Sequence, residues 1–359
     1  MKSFNIGTLK IPVPIIQGGM GIGISLSGLA SAVANMGGVG VISSVAIGLV
    51  ESSANTKYRQ GNIDGLRNEI RKAREMTKGV LGVNIMSVLS DFSDMVRTSI
   101  EEKIDIIFAG AGLPLDLPSY LGQGSKTKLI PIVSSGRAAS IIATKWKQNY
   151  DYLPDAFVVE GPLAGGHLGF KTANLSNKSY HLDQLVEDVL DVTRGIREKY
   201  RINVPVIAAG GIYSGNDMFR IMKKGASAVQ LGTRFVATEE CDASVEFKNA
   251  FIQASETDIQ IVTSPVGMPG RTIFNKFLQE AYEGKRKPLS CNYRCIKSCN
   301  PKTALYCIAK ALHSAYKGNM ADGFAFTGAN AALVKKISTV KKVFEDLKKE
   351  YQQEKSLLK

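Results

Sequence analysis

The sequence predicts an α/β protein built as a (β/α)₈ barrel, and three observations point to this fold. Eight short runs of β-branched and apolar residues recur between residues 14 and 231. Helical segments with one polar and one apolar face alternate with these runs, as in repeated βα units. The runs are apolar on both faces, which is typical of a parallel sheet covered by helices, and eight such units close a barrel.

The predicted strands are bounded by Gly, Pro or Asn, residues that commonly end strands. They cover residues 14–17, 39–42, 81–85, 105–108, 129–133, 156–160, 204–208 and 228–231. Helices are predicted between them over residues 26–36, 63–77, 92–103, 138–148, 182–200 and 216–223. The link after the fourth strand contains Pro114 and Pro118, which permit only a short helical turn.

A doubly wound parallel sheet is the alternative arrangement of the same units. Such sheets usually carry a G-x-G-x-x-G fingerprint after the first strand. Here Ile24 occupies the position that would complete this motif from Gly19. The barrel is therefore favoured.

Three regions are predicted along the chain. Residues 1–237 would form the barrel, residues 238–330 a mostly helical cap or insertion, and residues 331–359 a last helix that docks on the barrel. The last helix is expected because apolar residues of the tail fall on roughly one helical face. They are Leu333, Val334, Ile337, Val340, Val343, Phe344 and Leu347.

Composition excludes several classes of protein. Of the 359 residues, 44% are hydrophobic and 21% are charged, which is enough to build a core and far from a disordered composition. With no apolar run of about 18–20 residues and no signal peptide, we expect a cytoplasmic protein without a membrane partner. The net charge of +13 comes without a nucleic-acid-binding module, so it fits an acidic substrate, a phosphate or an acidic carrier protein better than nucleic acid.

Glycine and polar residues follow six of the predicted strands. In a (β/α)₈ barrel the carboxyl ends of the strands meet at one mouth, where active sites form. We therefore expect these segments to surround one site. They are Gly18–Gly21, Asn84, 109–112, 160–167, Gly210 with Gly211, and Gly232 with Thr233.

Two parts of this mouth suggest a chemistry. Gly210, Gly211, Gly232 and Thr233 would let backbone N–H groups approach a phosphate, and the helix that begins near Ser214 would add its positive dipole end. Ordinary tight turns are the alternative for either glycine loop alone, but the two loops together favour a phosphate site. His167 follows two glycines and is one of only three histidines, so we expect it to transfer a proton near neutral pH. We expect structural roles for His181 and His313.

Six motifs resemble, in order and spacing, those of the nitronate monooxygenase family, and the FMN-dependent enoyl-ACP reductases belong to the same superfamily. The match spans residues 10 to 236. The motifs are PIIQGGMG at 14–21, AVANMGGVG at 32–40, GVNIM at 82–86, AGGHLG at 164–169, AAGGI at 208–212 and QLGTRF at 230–235.

The resemblance implies a TIM-barrel flavoprotein with noncovalent FMN. His167 matches the base that acts on the α-carbon in nitroalkane-oxidising members, and Glu160 joins the residues expected at the cofactor. The matched flavin-ring residues are Gly19, Met20, Gly21, Asn84, Gly165 and Gly166. The matched phosphate residues are Gly210, Gly211, Gly232 and Thr233.

Two positions depart from the family pattern. Leu163 stands where members usually carry Glu, and Ile132 stands where nitronate monooxygenases often carry Lys. Residues 129–133 resemble the enoyl reductases more closely. The resemblance therefore leaves two substrate classes open, whereas both imply FMN.

Three functions follow. The first is oxidation of alkyl nitronates with O₂, and the second is NAD(P)H-dependent reduction of an enoyl thioester carried by an acyl carrier protein. The third is a non-redox barrel that binds a phosphorylated ligand. Each of these functions is compatible with a homodimer.

Four of the five cysteines lie between residues 291 and 307. Cys291, Cys295 and Cys299 are spaced by four, which predicts one face of a helix, and Cys307 follows. Four thiolates could bind a soft metal or an iron–sulfur cluster. The spacing is not the usual C-x₂-C, however, and a proline at 301 would break the helix. We therefore predict buried free thiols without metal, and a structural role for Cys241.

Overall fold

A closed barrel of eight parallel strands forms the centre of the computed structural model, which describes residues 1–51, 57–288 and 290–357. The strands run in the order β3-β4-β5-β6-β7-β8-β10-β11 around the barrel, and β11 pairs with β3 to close it. All eight predicted strands are confirmed. The strands are β1 Phe4–Ile6, β2 Leu9–Ile11, β3 Ile15–Gln17, β4 Val39–Ser43, β5 Val80–Met86, β6 Ile106–Gly110, β7 Lys128–Val133, β8 Phe157–Glu160, β9 Gly166–His167, β10 Val206–Ala209, β11 Ala228–Leu231, β12 Ile259–Thr263, β13 Pro269–Ile273 and β14 Ala325–Phe326.

Helices cover the outside of the barrel, and the six predicted ones are present. The link after β6 contains only the 3₁₀ turn Leu117–Tyr120, as its prolines predict. Within the described residues, no helix is long and apolar enough to cross a membrane. The helices are α1 Ser27–Asn35, α2 Gly48–Glu51, α3 Tyr58–Met76, α4 Phe92–Glu101, α5 Gly136–Tyr150, α6 Leu182–Tyr200, α7 Gly215–Lys223, α8 Thr233–Val236, α9 Val245–Gln253, α10 Lys276–Tyr282, α11 Ile308–Tyr316 and α12 Val340–Leu357.

The end of the barrel at which the strands begin is closed by a hairpin that the sequence analysis did not predict. Strands β1 and β2 pair in antiparallel fashion, and Ile6 and Ile11 pack into the barrel interior beside Val39, Ile106 and Ala228. All five side chains are fully buried. Because this end is filled, a ligand can reach the barrel only from the opposite end.

The cap over the opposite end is helical, as predicted, but it also contains a small antiparallel sheet. Strand β13 pairs with β12 and β14 of the cap. It also pairs with β9, which lies in the loop after the barrel strand β8. An isolated bridge between Leu89 and Ile296 joins the cap to the loop after β5. The cap is therefore attached to the barrel by backbone pairing as well as by side-chain packing.

The predicted helix through Cys291, Cys295 and Cys299 is wrong. The described residues between α10 and α11 form turns and irregular backbone. Arg294 takes the left-handed conformation, with φ of 45°, which a right-handed helix cannot include. A spacing of four is compatible with a helix but does not require one.

The last helix begins at Val340, so the prediction that it starts near residue 331 is also wrong. Leu333 is 51% exposed and lies in a 3₁₀ turn, whereas Val343, Phe344 and Leu347 are buried. This helix packs against α7 and α1. The residues at 358 and 359, which the predicted helix also covered, lie outside the described part of the chain.

Candidate active site

A cavity of about 280 Å³ opens at the carboxyl ends of the barrel strands. Each of the eight strands places a residue in its wall, at its last positions or just beyond them. These residues are Gly18, Ser43, Asn84, Gly110, Ile132, Glu160, Ala209 and Gln230. The catalytic and cofactor residues predicted from sequence all line this one cavity: Gly19, Met20, Gly21, Asn84, Glu160, Gly165, Gly166, His167, Gly210, Gly211, Gly232 and Thr233.

The first glycine loop lies against the β5 wall of the cavity. A Cβ atom on Gly19 would stand 2.3 Å from the Cβ atom of Asn84, so only glycine allows this approach. Gly166 differs, because a Cβ atom added there would meet nothing within 4 Å. Open space therefore lies beside Gly166, whereas a Cβ atom on Gly165 would stand 2.7 Å from the Gly328 nitrogen, so Gly165 is needed for the close approach of residues 327–328.

Three loops converge at the β10 and β11 end of the cavity. The Thr233 hydroxyl accepts a hydrogen bond from the Gly328 N–H at 3.3 Å, and the Asn330 amide donates to the Gly211 carbonyl at 2.9 Å. The third loop, residues 327–330, was not predicted from the sequence. Its small-residue run, TGAN, was the available signal. Backbone N–H groups from glycine-rich loops are suited to an oxyanion such as phosphate.

Helix α7 does not contribute to this region, contrary to the prediction. Ser214 and Asp217 form a capping box at its N-terminus, and Asp217 also accepts from the Tyr213 N–H. The Gly215 N–H donates to the Glu350 carboxylate of α12 at 2.6 Å. The helix start is therefore occupied by the chain's own carboxylates.

His167 projects into the cavity from β9, the short strand that pairs with the cap. Its Nε2 atom lies 2.7 Å from the Ser264 hydroxyl, and its ring lies 4.9 Å from that of Phe326. Burial lowers the pKa of His167 to about 4. The imidazole is neutral at physiological pH and can accept a proton. No signal in the sequence identified Ser264, because it lies 97 residues from His167.

Arg271, which the sequence analysis also missed, holds the loop that carries His167. Its side chain is only 8% exposed, and its Nη1 atom donates to the carbonyls of Pro162 and Ala164 at 2.9 and 2.6 Å. Burial lowers the pKa of this guanidinium. A buried cation that binds two carbonyls fixes the path of residues 162–164, immediately before the two glycines.

Glu160 ends β8 inside the same cavity. Burial raises the pKa of its carboxyl to about 7. A group with such a pKa exchanges protons near neutral pH and is a candidate functional group on that ground. Its placement agrees with the sequence expectation that it belongs to the site.

Beyond the glycine loops the cavity wall is largely apolar and is shared with the cap. Tyr58 and Cys295 are the titratable groups of this part. No Lys or Arg side chain among the described residues lines the cavity. The apolar wall is formed by Ile22, Val45, Met86, Leu89, Ile296, Ile308, Ala309 and Leu312.

The cap cysteines lie near one another but do not form a chelating group. Burial is the main cause that raises the pKa of Cys295 to about 12, and the neighbouring thiols of Cys307, Cys299 and Cys291 add to it. The Arg294 N–H donates to the Cys291 sulfur at 3.4 Å. Within residues 1–51, 57–288 and 290–357, no three His, Cys, Asp or Glu side chains are placed to hold a metal ion.

The family model for nitronate monooxygenase matches residues 2–105 and 90–350. The chain belongs to the nitronate monooxygenase family. It is a flavin-dependent oxidoreductase, and the expectation of a non-redox barrel is set aside. In this family member Leu163 and Ile132, the two departures noted above, both line the cavity.

Curated relatives and solved structures agree with this membership. A probable nitronate monooxygenase of Staphylococcus saprophyticus is 28% identical over 314 residues, 77% of this chain and 80% of that one. A (3aS,4S,5R,7aS)-5-hydroxy-7a-methyl-1-oxo-octahydro-1H-indene-4-carboxyl-CoA dehydrogenase of Mycobacterium tuberculosis is 28% identical over 278 residues, 77% of this chain and 68% of that one. The structure of FabK from Thermotoga maritima superposes with a TM-score of 0.74 at 31% identity, and the match covers 97% and 95% of the two chains.

Proposed function

We propose that this chain binds FMN in the barrel cavity and oxidises alkyl nitronates and their parent nitroalkanes with O₂, with His167 as the base. One observation carries the proposal. A half-buried imidazole that is neutral at physiological pH faces the same cavity as glycine-rich loops that follow strands β3, β8, β10 and β11. A base beside a planar cofactor site is what removal of a proton next to a nitro group requires.

The cavity residues fit FMN. The open space beside Gly166 leaves room for part of the flavin ring, and Gly19, Met20, Gly21 and Asn84 line the same cavity. Backbone N–H groups at Gly210, Gly211, Gly232 and Thr233 would hold the phosphate. When bound, FMN supplies the acceptor for the substrate's electron pair and passes electrons on to O₂.

The chain's own residues would handle the proton and exclude water. His167 would take the α-proton of a nitroalkane while the carbon keeps the bonding electron pair. Arg271 would keep the 162–164 loop in place during this step. The cap strands would close the site on the side of His167, which strengthens hydrogen bonds at the reacting atoms.

The first experiment is an anaerobic absorbance spectrum of the purified protein before and after addition of an alkyl nitronate. A flavin spectrum that bleaches supports the proposal, and a protein that neither contains nor retains FMN contradicts it. His167→Ala should abolish turnover of a neutral nitroalkane and keep the flavin. Unchanged turnover would exclude His167 as the base.

The phosphate cradle can be tested by flavin content alone. Gly232→Asp places a carboxylate where the phosphate would bind, and the added Cβ meets only the Met20 sulfur, at an ordinary 3.6 Å. We expect this variant to lose FMN through charge repulsion. Gly195→Asp on α6, where an added Cβ meets nothing within 4 Å, is the control and should keep FMN.

A second candidate is NAD(P)H-dependent reduction of an enoyl thioester. The apolar cavity wall, free of Lys and Arg in the described part of the chain, favours it because a nitronate is an anion and would meet no counter-charge there. The M. tuberculosis relative is named for a carboxyl-CoA substrate. Anaerobic bleaching of the flavin by NADH or NADPH, and not by a nitronate, would select this function. A net charge of +13 would suit docking of an acidic acyl carrier protein.

A further inference from the structure

We propose that Ser264 is a positioning residue that holds the His167 imidazole in the tautomer with the proton on Nε2 and a free lone pair on Nδ1. This inference rests on the proposed function, because only a base needs that lone pair. Ser264 belongs to the cap, between β12 and β13, and lies outside the barrel and outside all six family motifs.

Ser264 and His167 are in direct side-chain contact. Ser264 Oγ lies 2.7 Å from Nε2 of His167, a short distance for a hydrogen bond between a hydroxyl and an imidazole. Among the described residues the structure gives the imidazole no second hydrogen-bond partner. Under the proposed function the Nε2–H group donates to Ser264 Oγ, and Nδ1 is then the nitrogen that can take a proton from a substrate.

Ser264 is held rigidly in the cap. The residue is 3% exposed, and its backbone N–H donates to the Met268 carbonyl at 3.0 Å. The Val266 N–H approaches its hydroxyl oxygen at 3.4 Å. The serine therefore sits in a tight turn between β12 and β13, and β13 pairs Gly270 with His167. The β12–β13 hairpin therefore carries the Ser264 hydroxyl and, through the pairing of Gly270 with His167, also fixes the backbone that carries the imidazole.

The His167 ring also has neighbours other than Ser264. The other titratable side chains of the cavity, in the residues described, are Glu160, Tyr58 and Cys295. Arg271 of β13 pairs with Gly166 of β9, the residue before His167. None of them hydrogen bonds to His167. Phe326, the closest aromatic neighbour, offers no acceptor. Among the described residues, Ser264 is therefore the partner that would set the tautomer of His167, as the tautomer of a catalytic histidine commonly depends on the partner of its other nitrogen.

The test compares Ser264→Ala and Ser264→Thr in the flavin-loaded enzyme. Ser298→Ala is the matched control, because the Ser298 hydroxyl binds the Val266 carbonyl of the same turn without touching His167. The structural readout is the ¹⁵N NMR spectrum of histidine-labelled protein. Only three histidines are present, so the His167→Ala spectrum identifies the signals of residue 167.

We expect a wild-type signal of the Nε2-protonated tautomer and a mixture of tautomers in Ser264→Ala. Turnover (kcat/KM) of nitroethane should fall about tenfold to a hundredfold in Ser264→Ala, because a poorly placed base costs rate in this range. Turnover of ethylnitronate, which has already lost its proton, should not change. Ser264→Thr and Ser298→Ala should keep the wild-type tautomer and rate.

Three results would overturn the inference: a wild-type Nδ1-protonated signal, an unchanged tautomer in Ser264→Ala, or equal losses for nitroethane and ethylnitronate. Adding Ser264→Ala to His167→Ala should cause no further loss, since the serine acts through the histidine. Failure of the proposed function looks different. In that case the wild-type protein would show no nitroethane turnover, or His167→Ala would keep that turnover, whatever Ser264→Ala does.

Discussion

At the residue scale, burial favours the uncharged form of the two proton-exchanging groups that line the strand ends. It lowers the pKa of His167 to about 4 and raises that of Glu160 to about 7. Both shifts have one cause, the loss of solvation of the charged form. At neutral pH the imidazole is neutral and the carboxyl is close to half-protonated. Neither group therefore carries a full charge at neutral pH.

The pH dependence of nitroalkane turnover follows from the histidine. A base works only when deprotonated, and His167 stays deprotonated at every pH well above about 4. We expect kcat/KM for nitroethane to be flat from neutral pH down to about 5 and to fall below that value. A profile that falls near the ordinary histidine pKa of about 6.5 would contradict the burial of His167.

The pH dependence of stability follows from Glu160. Its folded-state pKa of about 7 exceeds the ordinary glutamate value of 4.5, so the native state binds the proton more tightly than the unfolded state. This contribution to stability is complete below pH 4.5 and is lost as the pH rises through 7. Between pH 5 and pH 8, the melting temperature of Glu160→Gln should therefore rise relative to that of the wild type. Glu198→Gln, at an exposed position of α6, should follow the wild type at every pH.

At the element scale, the barrel and the C-terminal region are joined by caps and close contacts between distant parts of the chain. Helix α1 has no side-chain cap of its own. Asp242 supplies one, since its carboxylate accepts from the N–H groups of Leu26, Gly28 and Leu29 at 2.7, 3.0 and 3.1 Å. Helix α12 is similarly joined to α7 through Glu350.

Removal of the α1 cap should destabilise the protein. Asp242→Ala leaves three buried N–H groups without their acceptor, and we expect a loss of about 2–4 kcal/mol in the free energy of unfolding. Asp242→Asn keeps an acceptor oxygen and should lose less than half as much. Urea unfolding measures both. Equal losses would show that the carboxylate charge, rather than the hydrogen bonds, stabilises α1.

A pair of helix glycines tests the contact between α7 and α12. A Cβ atom on Gly215 would stand 2.3 Å from the Leu347 carbonyl oxygen, whereas one on Gly195 would meet nothing within 4 Å. Gly215→Ala should cost about 1–3 kcal/mol because the backbones must separate. Gly195→Ala should stabilise α6 by about 0.5–1 kcal/mol. Thermal unfolding that ranks the two variants in the opposite order would contradict the close packing of α12.

At the scale of the whole molecule, local patterns in the sequence predicted the barrel, and pairings between distant segments escaped prediction. Each strand and helix of a βα unit has its own periodicity, and the strand-end rule then placed twelve site residues in one cavity. The β1–β2 plug, the cap sheet and the Ser264–His167 contact join segments whose pairing leaves no periodic signal. The cysteine helix failed for a different, local reason, because spacing alone does not report the left-handed turn at Arg294.

Docking of the cap on the barrel can be followed with thiol reagents. Cys241 and Cys295 are buried, and the pKa of each is raised to about 12, whereas Cys291, Cys299 and Cys307 are half-buried. At pH 8, iodoacetamide should modify the latter three in the native protein and spare the first two until the protein unfolds. Peptide mass spectrometry assigns the sites. Rapid labelling of Cys295 in the native state would mean that the cap lifts from the cavity.

The pairing of β9 with β13 also sets an order of events during translation. The last barrel strand, β11, is synthesised before β13. All eight barrel strands therefore exist in a growing chain while His167 still lacks both its strand partner Gly270 and the hydroxyl of Ser264. Under our inference, the proton-transfer group becomes competent only after the cap has folded. An unfinished chain would hold the glycine loops after β3, β8, β10 and β11 and yet carry a misaligned base.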